Sequence, residues 1–134
     1  MAEPITCTVV TPEQTALETK ADFVALPLFD GEIGIAANHS PLIGRLGYGE
    51  MRIKSGGQTV AYYVDGGFVQ VADNVVAVLT NRALPARNLD AAAAEAQLQS
   101  ALQQPANSPV LFEIRDRKVA QARAQIRTAR RARL

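Results

Sequence analysis

Glu50-Met51-Arg52-Ile53-Lys54-Ser55-Gly56-Gly57-Gln58-Thr59-Val60-Ala61-Tyr62-Tyr63-Val64 is the stretch that decides the fold. Met51 and Ile53 alternate with Glu50, Arg52 and Lys54, the two-residue period of a half-buried strand. Gly56-Gly57 tolerates the positive φ angles of a two-residue hairpin turn, and a second β-prone run follows over residues 58–64. Working outward, residues 5–10 form another short β-prone run. Residues 22–29 set Phe23, Ala25, Pro27 and Phe29 on one side and Val24, Leu26 and Leu28 on the other. Gly66-Gly67 reads as a break before residues 68–71, and Asp73-Asn74 as a turn before residues 75–80. Short strands with turn signals at this spacing predict an antiparallel sandwich or barrel.

The chain changes character near residue 88. Every glycine precedes residue 68, and alanine crowds the last third. Residues 1–87 hold six basic and nine acidic side chains, residues 88–134 eight and four, so a net charge near zero conceals an acidic front and a basic back. Asn88 reads as a helix cap with Asp90 in the first turn, and residues 89–104 are rich in good helix formers. Pro105-Ala106-Asn107 interrupts them. Ser108-Pro109 then reads as an N-cap with proline at the first helical position, opening a helix to about residue 133. The expected architecture is two-domain, β plus α: an antiparallel β-sandwich over 1–87 and an antiparallel two-helix hairpin over 88–134. Leu111, Val119, Ala122, Ile126 and Ala129 are expected to share one side of the second helix, with Arg123, Arg127 and Arg130 beside them. Alanine buries far less apolar surface than leucine, so the hairpin is expected to be loosely held and able to rearrange.

Composition narrows the function. No apolar run approaches the ~20 residues of a membrane span. Met1-Ala2-Glu3-Pro4 lacks the basic and apolar regions of a secretion signal, so the chain is expected to stay in the compartment where it is made. One cysteine, Cys7, excludes an internal disulfide and a cysteine-based zinc site, and its place in a strand pattern reads as a small core residue. No catalytic set and no metal site are expected. His39 is the only histidine, and Asp30 and Glu32 read as surface carboxylates in a loop more readily than as an acid–base pair. Gly31-Glu32-Ile33-Gly34 lacks the Gly-Lys-Ser/Thr ending of a phosphate loop, and Asp65-Gly66-Gly67 reads as a turn. The arginine stripe has three readings: a solvated face, phosphate neutralisation on a nucleic acid, or docking on an acidic protein surface. No aromatic residue follows Phe112 to supply a stacking platform.

Phe29-Asp30-Gly31-Glu32-Ile33-Gly34-Ile35-Ala36-Ala37-Asn38-His39-Ser40-Pro41-Leu42 is heavily specified. Glycines permit unusual backbone angles, Asn38 and Ser40 bond nearby backbone, and Ile33, Ile35 and Leu42 anchor the segment. Without a catalytic set around it, such a loop reads as a docking surface.

Gly31-Glu32-Ile33-Gly34-Ile35, Asn38-His39-Ser40-Pro41-Leu42 and Gly49-Glu50-Met51-Arg52-Ile53 resemble the epsilon subunit of rotary ATP synthases. Val64-Asp65-Gly66-Gly67-Phe68-Val69-Gln70-Val71 and Asn74-Val75-Val76-Ala77-Val78-Leu79 are similar to that family's second block. The resemblance implies a non-catalytic subunit of the rotating central stalk, peripheral on the cytoplasmic face of the inner membrane. Its partners would be the gamma subunit and the ring of c subunits, with Gly31, Glu32, Asn38, His39 and Pro41 at the docking region and Glu32 facing a basic loop of the ring. His39 has the alternative of simply holding its own turn. When extended, the hairpin of such proteins reaches the alpha and beta subunits of the catalytic head and inhibits ATP hydrolysis, a role suited to Arg123, Arg127, Arg130 and Arg131. Some relatives bind ATP on the hairpin. Here Leu89, Asp90, Arg123 and Arg127 match that pattern, but Ala93 stands where an arginine is expected, so ATP binding is expected to be weak or absent and no cofactor is implied. An adaptor sandwich with a basic nucleic-acid-binding tail is the competing reading; the family resemblance implies no nucleic-acid partner.

Overall fold

The computed structural model describes residues 4–132. Among the described residues eight strands precede two helices: β1 Ile5–Val10, β2 Thr15–Ala21, β3 Phe23–Leu28, β4 Gly31–Ala36, β5 Leu42–Ser55, β6 Gln58–Ala72, β7 Val75–Leu79, β8 Ala83–Pro85, α1 Ala91–Leu102 and α2 Pro109–Ala132. The strands run in the order β2-β1-β7-β6-β5-β3-β4, with β8 also on β6. All pairings are antiparallel except β1 with β7, which run parallel. The fold is the expected β-sandwich followed by two helices.

Alternation builds the core. Cys7, Val9, Val24, Leu26, Ile35, Met51, Ile53, Val64, Val69, Val71, Val76 and Val78 turn inward into one cluster. The Gly56-Gly57 hairpin forms as expected, with φ +58 and +80 and Ser55 opposite Gln58. Asp73 and Asn74 make the next hairpin with φ +52 and +62. Among the described residues no helix is long and apolar enough to cross a membrane.

Several expectations are corrected. Residues 31–36 are not a loop: β4 pairs along its whole length with β3. Gly66-Gly67 does not end a strand, because β6 runs through it with β5 beside it on both sides. β2 is an edge strand whose mixed polar sequence hid it. Asn88 lies in a 3-10 turn, and the cap of α1 is Asp90, whose carboxylate accepts from the Ala92 and Ala93 N–H groups at 3.0 and 3.1 Å. Ser108 does cap α2, accepting from the Leu111 N–H at 3.2 Å. Val119, Ala122, Ile126 and Ala129 are buried as expected, whereas Leu111 is exposed. The helices pack on each other, and α2 lies against β5 and β6.

Candidate docking and regulatory surfaces

The outer face of the sheet is unusually apolar. Cross-strand pairing aligns Arg45, Phe68, Leu79 and Val10 in one row and Ile43, Gln70, Ala77 and Thr8 in the next. Ile43 is 77 % exposed, Phe29 65 %, Phe68 58 % and Leu79 53 %. Ile43, Phe68 and Leu79 lie in strands beside buried or half-buried neighbours, so alternation turns them outward once the core is filled, while Phe29 sits in the β3–β4 turn. The Arg45 guanidinium lies 5.6 Å from the Phe29 ring centre.

Asn38, His39 and Pro41 line one small recess with Asp73 and Asn74. Asn38 has φ +64 and donates its backbone N–H to the Asn74 side chain at 2.6 Å, tying this segment to the β6–β7 turn. The His39 Nδ1 lies 2.8 Å from the Ser40 carbonyl oxygen, the arrangement of a histidine that braces its own turn.

Gly31 and Glu32 sit at the other end of β4, roughly 20 Å away along an extended strand. They line a groove of about 630 Å³ between β3–β5 and α2, together with Arg45, Glu50, Arg123, Arg127 and Arg131. Arg52 donates to Glu32 at 2.6 Å and to Glu50 at 3.1 Å. The bonds to Glu32 and then Glu50 hold the Arg52 guanidinium above its ordinary pKa. Arg131 reaches the same Glu50 oxygen at 3.8 Å. The structure thus places the residues expected to dock at and beyond the two ends of β4. It gathers Arg123, Arg127 and Arg131 on one groove and leaves Arg130 exposed outside it. Leu89 is buried against Tyr63, Ala124 and Ala129, and neither it nor Asp90 lines the arginine groove.

The residues fastening α2 to the sandwich were not singled out by sequence. Tyr63 is wholly buried, and its hydroxyl donates to Asp65 at 3.0 Å. Burial first and the Asp65 charge second push this phenol well above its ordinary pKa. Gln121 of α2 donates to both Asp65 oxygens at 3.2 and 3.3 Å. Cys7 is buried in the core, which pushes its thiol up to about 11.

The family model for the ATP synthase delta/epsilon chain beta-sandwich domain matches residues 4–86. The ATP synthase epsilon chain of Rhodopirellula baltica is 50% identical over 126 residues, covering 94% of this chain and 98% of that one. The chain belongs to the ATP synthase delta/epsilon family. Among solved structures, a chain of the Euglena gracilis mitochondrial ATP synthase superposes with a TM-score of 0.79 at 21% identity, covering 97% of this chain and 81% of that one. A chain from the central stalk and c-ring of the Tetrahymena thermophila mitochondrial enzyme does so with a TM-score of 0.75 at 13% identity, over 96% and 98%. At those identities the likeness is one of fold, and it spans the helices as well as the sandwich.

For a member of this family, the sequence signal for the missed fastening was the Val64-Asp65-Gly66-Gly67 block, whose glycines suggested a turn. The Asp65 partner on α2 lies 56 residues away, beyond the reach of any local pattern.

Proposed function

We propose that this chain is a non-catalytic rotor subunit of a proton-translocating ATP synthase, peripheral on the cytoplasmic face of the inner membrane. In this reading the sandwich joins gamma to the c-ring, and the hairpin inhibits ATP hydrolysis. The observation that carries it is the outer sheet face of Phe29, Ile43, Phe68 and Leu79, exposed on a sandwich whose core is already complete. An apolar patch of this kind marks a protein partner, and gamma is the partner that the family membership favours. Asn38, His39 and Pro41 flank that face, while Gly31 and Glu32 present a carboxylate to the ring at the far end of β4. Glu32 would exchange Arg52 for a basic loop of the ring. Arg123, Arg127, Arg130 and Arg131 would meet acidic segments of the alpha and beta subunits once the hairpin extends. Asp90 is committed as a helix cap and Ala93 stands in the arginine position, so ATP affinity is expected to be weak or absent.

The test is reconstitution with the matching gamma-containing catalytic head. Ile43→Glu with Phe68→Glu is expected to abolish capture while leaving circular dichroism unchanged. Replacing the four arginines with alanine is expected to leave capture intact and relieve inhibition. Undiminished capture of the double glutamate variant would refute the assignment of the docking face.

A further inference from the structure

Asp65-Gly66-Gly67 is not explained by the sandwich core, the outer face or the arginine groove. It makes no turn. Gly66 and Gly67, with φ +71 and +104, deform the middle of β6, and a Cβ on Gly67 would collide with the Leu79 carbonyl oxygen. The backbone of this bend is pinned on several sides. The Asp65 N–H donates to the Thr80 hydroxyl at 2.9 Å, and Asn81 donates to the Asp65 carbonyl at 3.3 Å. The Asp65 side chain is thereby fixed in place facing α2, with the Tyr63 hydroxyl on one oxygen and Gln121 across both. A fixed carboxylate is a good post for a helix that must be held in one register.

The rest of the α2 contact is weak in apolar terms. Its cluster with the sandwich consists of Tyr63, Leu89, Ala124 and Ala129, flanked by Tyr48, Leu84 and Ala91. The ion pair from Arg131 to Glu50 is long, at 3.8 Å, and its arginine is exposed. The Asp65–Gln121 pair differs from both. It joins a charged acceptor to a two-donor amide at a half-buried position, where hydrogen bonds are strong. Asp65 keeps the Tyr63 hydroxyl when Gln121 is withdrawn, so separation does not strip the carboxylate of every partner.

We propose that Asp65 is the latch of the hairpin: a polar post on the sandwich that holds α2 through Gln121 and releases it reversibly. The proposal rests on the reading of a movable inhibitory hairpin and names the residues on which its movement turns.

Hydrogen exchange of the full chain tests it, with Asp65→Ala, Asp65→Asn, Gln121→Ala and the double alanine variant. Residues 109–132 should exchange about tenfold faster in each alanine variant. The asparagine variant, which keeps one acceptor oxygen, should fall between. The double variant should exchange no faster than the singles, because one interaction is lost only once. Protection of β5 and β7 should be unchanged. Unaltered protection of α2 in Gln121→Ala overturns the latch, and so does a double variant whose effect is the sum of the singles. Should Asp65→Ala loosen the sandwich itself, Gln121→Ala decides alone, since it leaves the β6 bend intact. Hydrolysis assays with the same variants separate the two readings. Faster α2 exchange with unchanged inhibition keeps the latch and overturns the inhibitory hairpin. Unchanged α2 exchange overturns the latch whatever the hydrolysis rate.

Discussion

Replacing Ala124 with leucine attacks the hairpin contact from its apolar side. Ala124 is 1% exposed and lies in the cluster with Tyr63, Leu89 and Ala129. Leucine forms helix nearly as well as alanine, so α2 itself is not weakened. The isobutyl group is expected to crowd Tyr63 and Ala129, both of them buried beside it. Overpacking of this kind costs about 1–3 kcal/mol. The sandwich core is built from other residues and need not bear the strain, so the cost falls on docking. An undocked population should therefore grow by about 5- to 150-fold. Hydrogen exchange reads this as lost protection over residues 109–132 with unchanged protection in β5, β6 and β7. If α2 stays protected, the small-residue contact is more accommodating than its packing implies. If the sandwich loses protection in step with α2, the two parts form one cooperative unit, and the idea of a separately released hairpin fails.

Other consequences follow from single contacts. Gly67→Ala should destabilise the sandwich by about 3 kcal/mol or more, combining a strained φ with a collision against backbone, whereas Gly57→Ala, strained but facing open space, should cost about 1 kcal/mol; urea denaturation ranks them, and equal costs would refute the close approach at Leu79. Burial raises the Cys7 thiol from 9.0 to about 11. The folded chain therefore holds this proton more tightly than the unfolded chain, so the contribution is whole below pH 9.0 and declines as pH rises towards 11. Cys7→Val should flatten that part of the stability profile, and a parallel decline in the variant would assign it elsewhere. Arg52→Ala should cost about 1–3 kcal/mol in thermal unfolding, because it strips the main partner from Glu50, whose side chain is only 10% exposed. Arg131→Ala should cost about 0.5 kcal/mol or less, as befits a long, exposed pair.

What was legible in the sequence was local. Gly56-Gly57 and Asp73-Asn74 declared their hairpins because a tight turn needs φ angles that few residues accept. Ser108-Pro109 declared a helix start because cap and first turn lie side by side in the chain. The choice of Asn88 over Asp90 failed because both residues cap well and only the 3-10 turn over 86–88 decides between them. β4 was hidden by its glycines, and β2 by an edge position that leaves most of its side chains exposed and so weakens the alternation. The residues expected to dock were read as one site because they are close in sequence. An extended strand carries Glu32 and His39 apart, whereas a loop would have kept them together.

The strands, which end at Pro85, and the helices, which begin at Ala91, are held in different ways. The sandwich core contains Val, Ile, Leu and Met side chains from β1 and from β3 through β7, wholly or almost wholly buried. At about 0.8 kcal/mol for each buried CH₂, such residues carry the greater part of the apolar stabilisation. The buried part of the hairpin contact offers two alanines, one leucine and one tyrosine, flanked by the half-buried Tyr48, Leu84 and Ala91 and supplemented by Asp65 and Gln121. In the proposed reading a helix fixed in this way leaves at the cost of a few contacts while the sheet beneath it stays folded. An interface of leucines in the same place would hold more firmly, but leaving it would expose apolar surface on both sides. Alanine and glutamine in α2 thus do for the hairpin what valine does for the sandwich. In the proposed reading each residue type suits its part, one to stay and the other to be able to go.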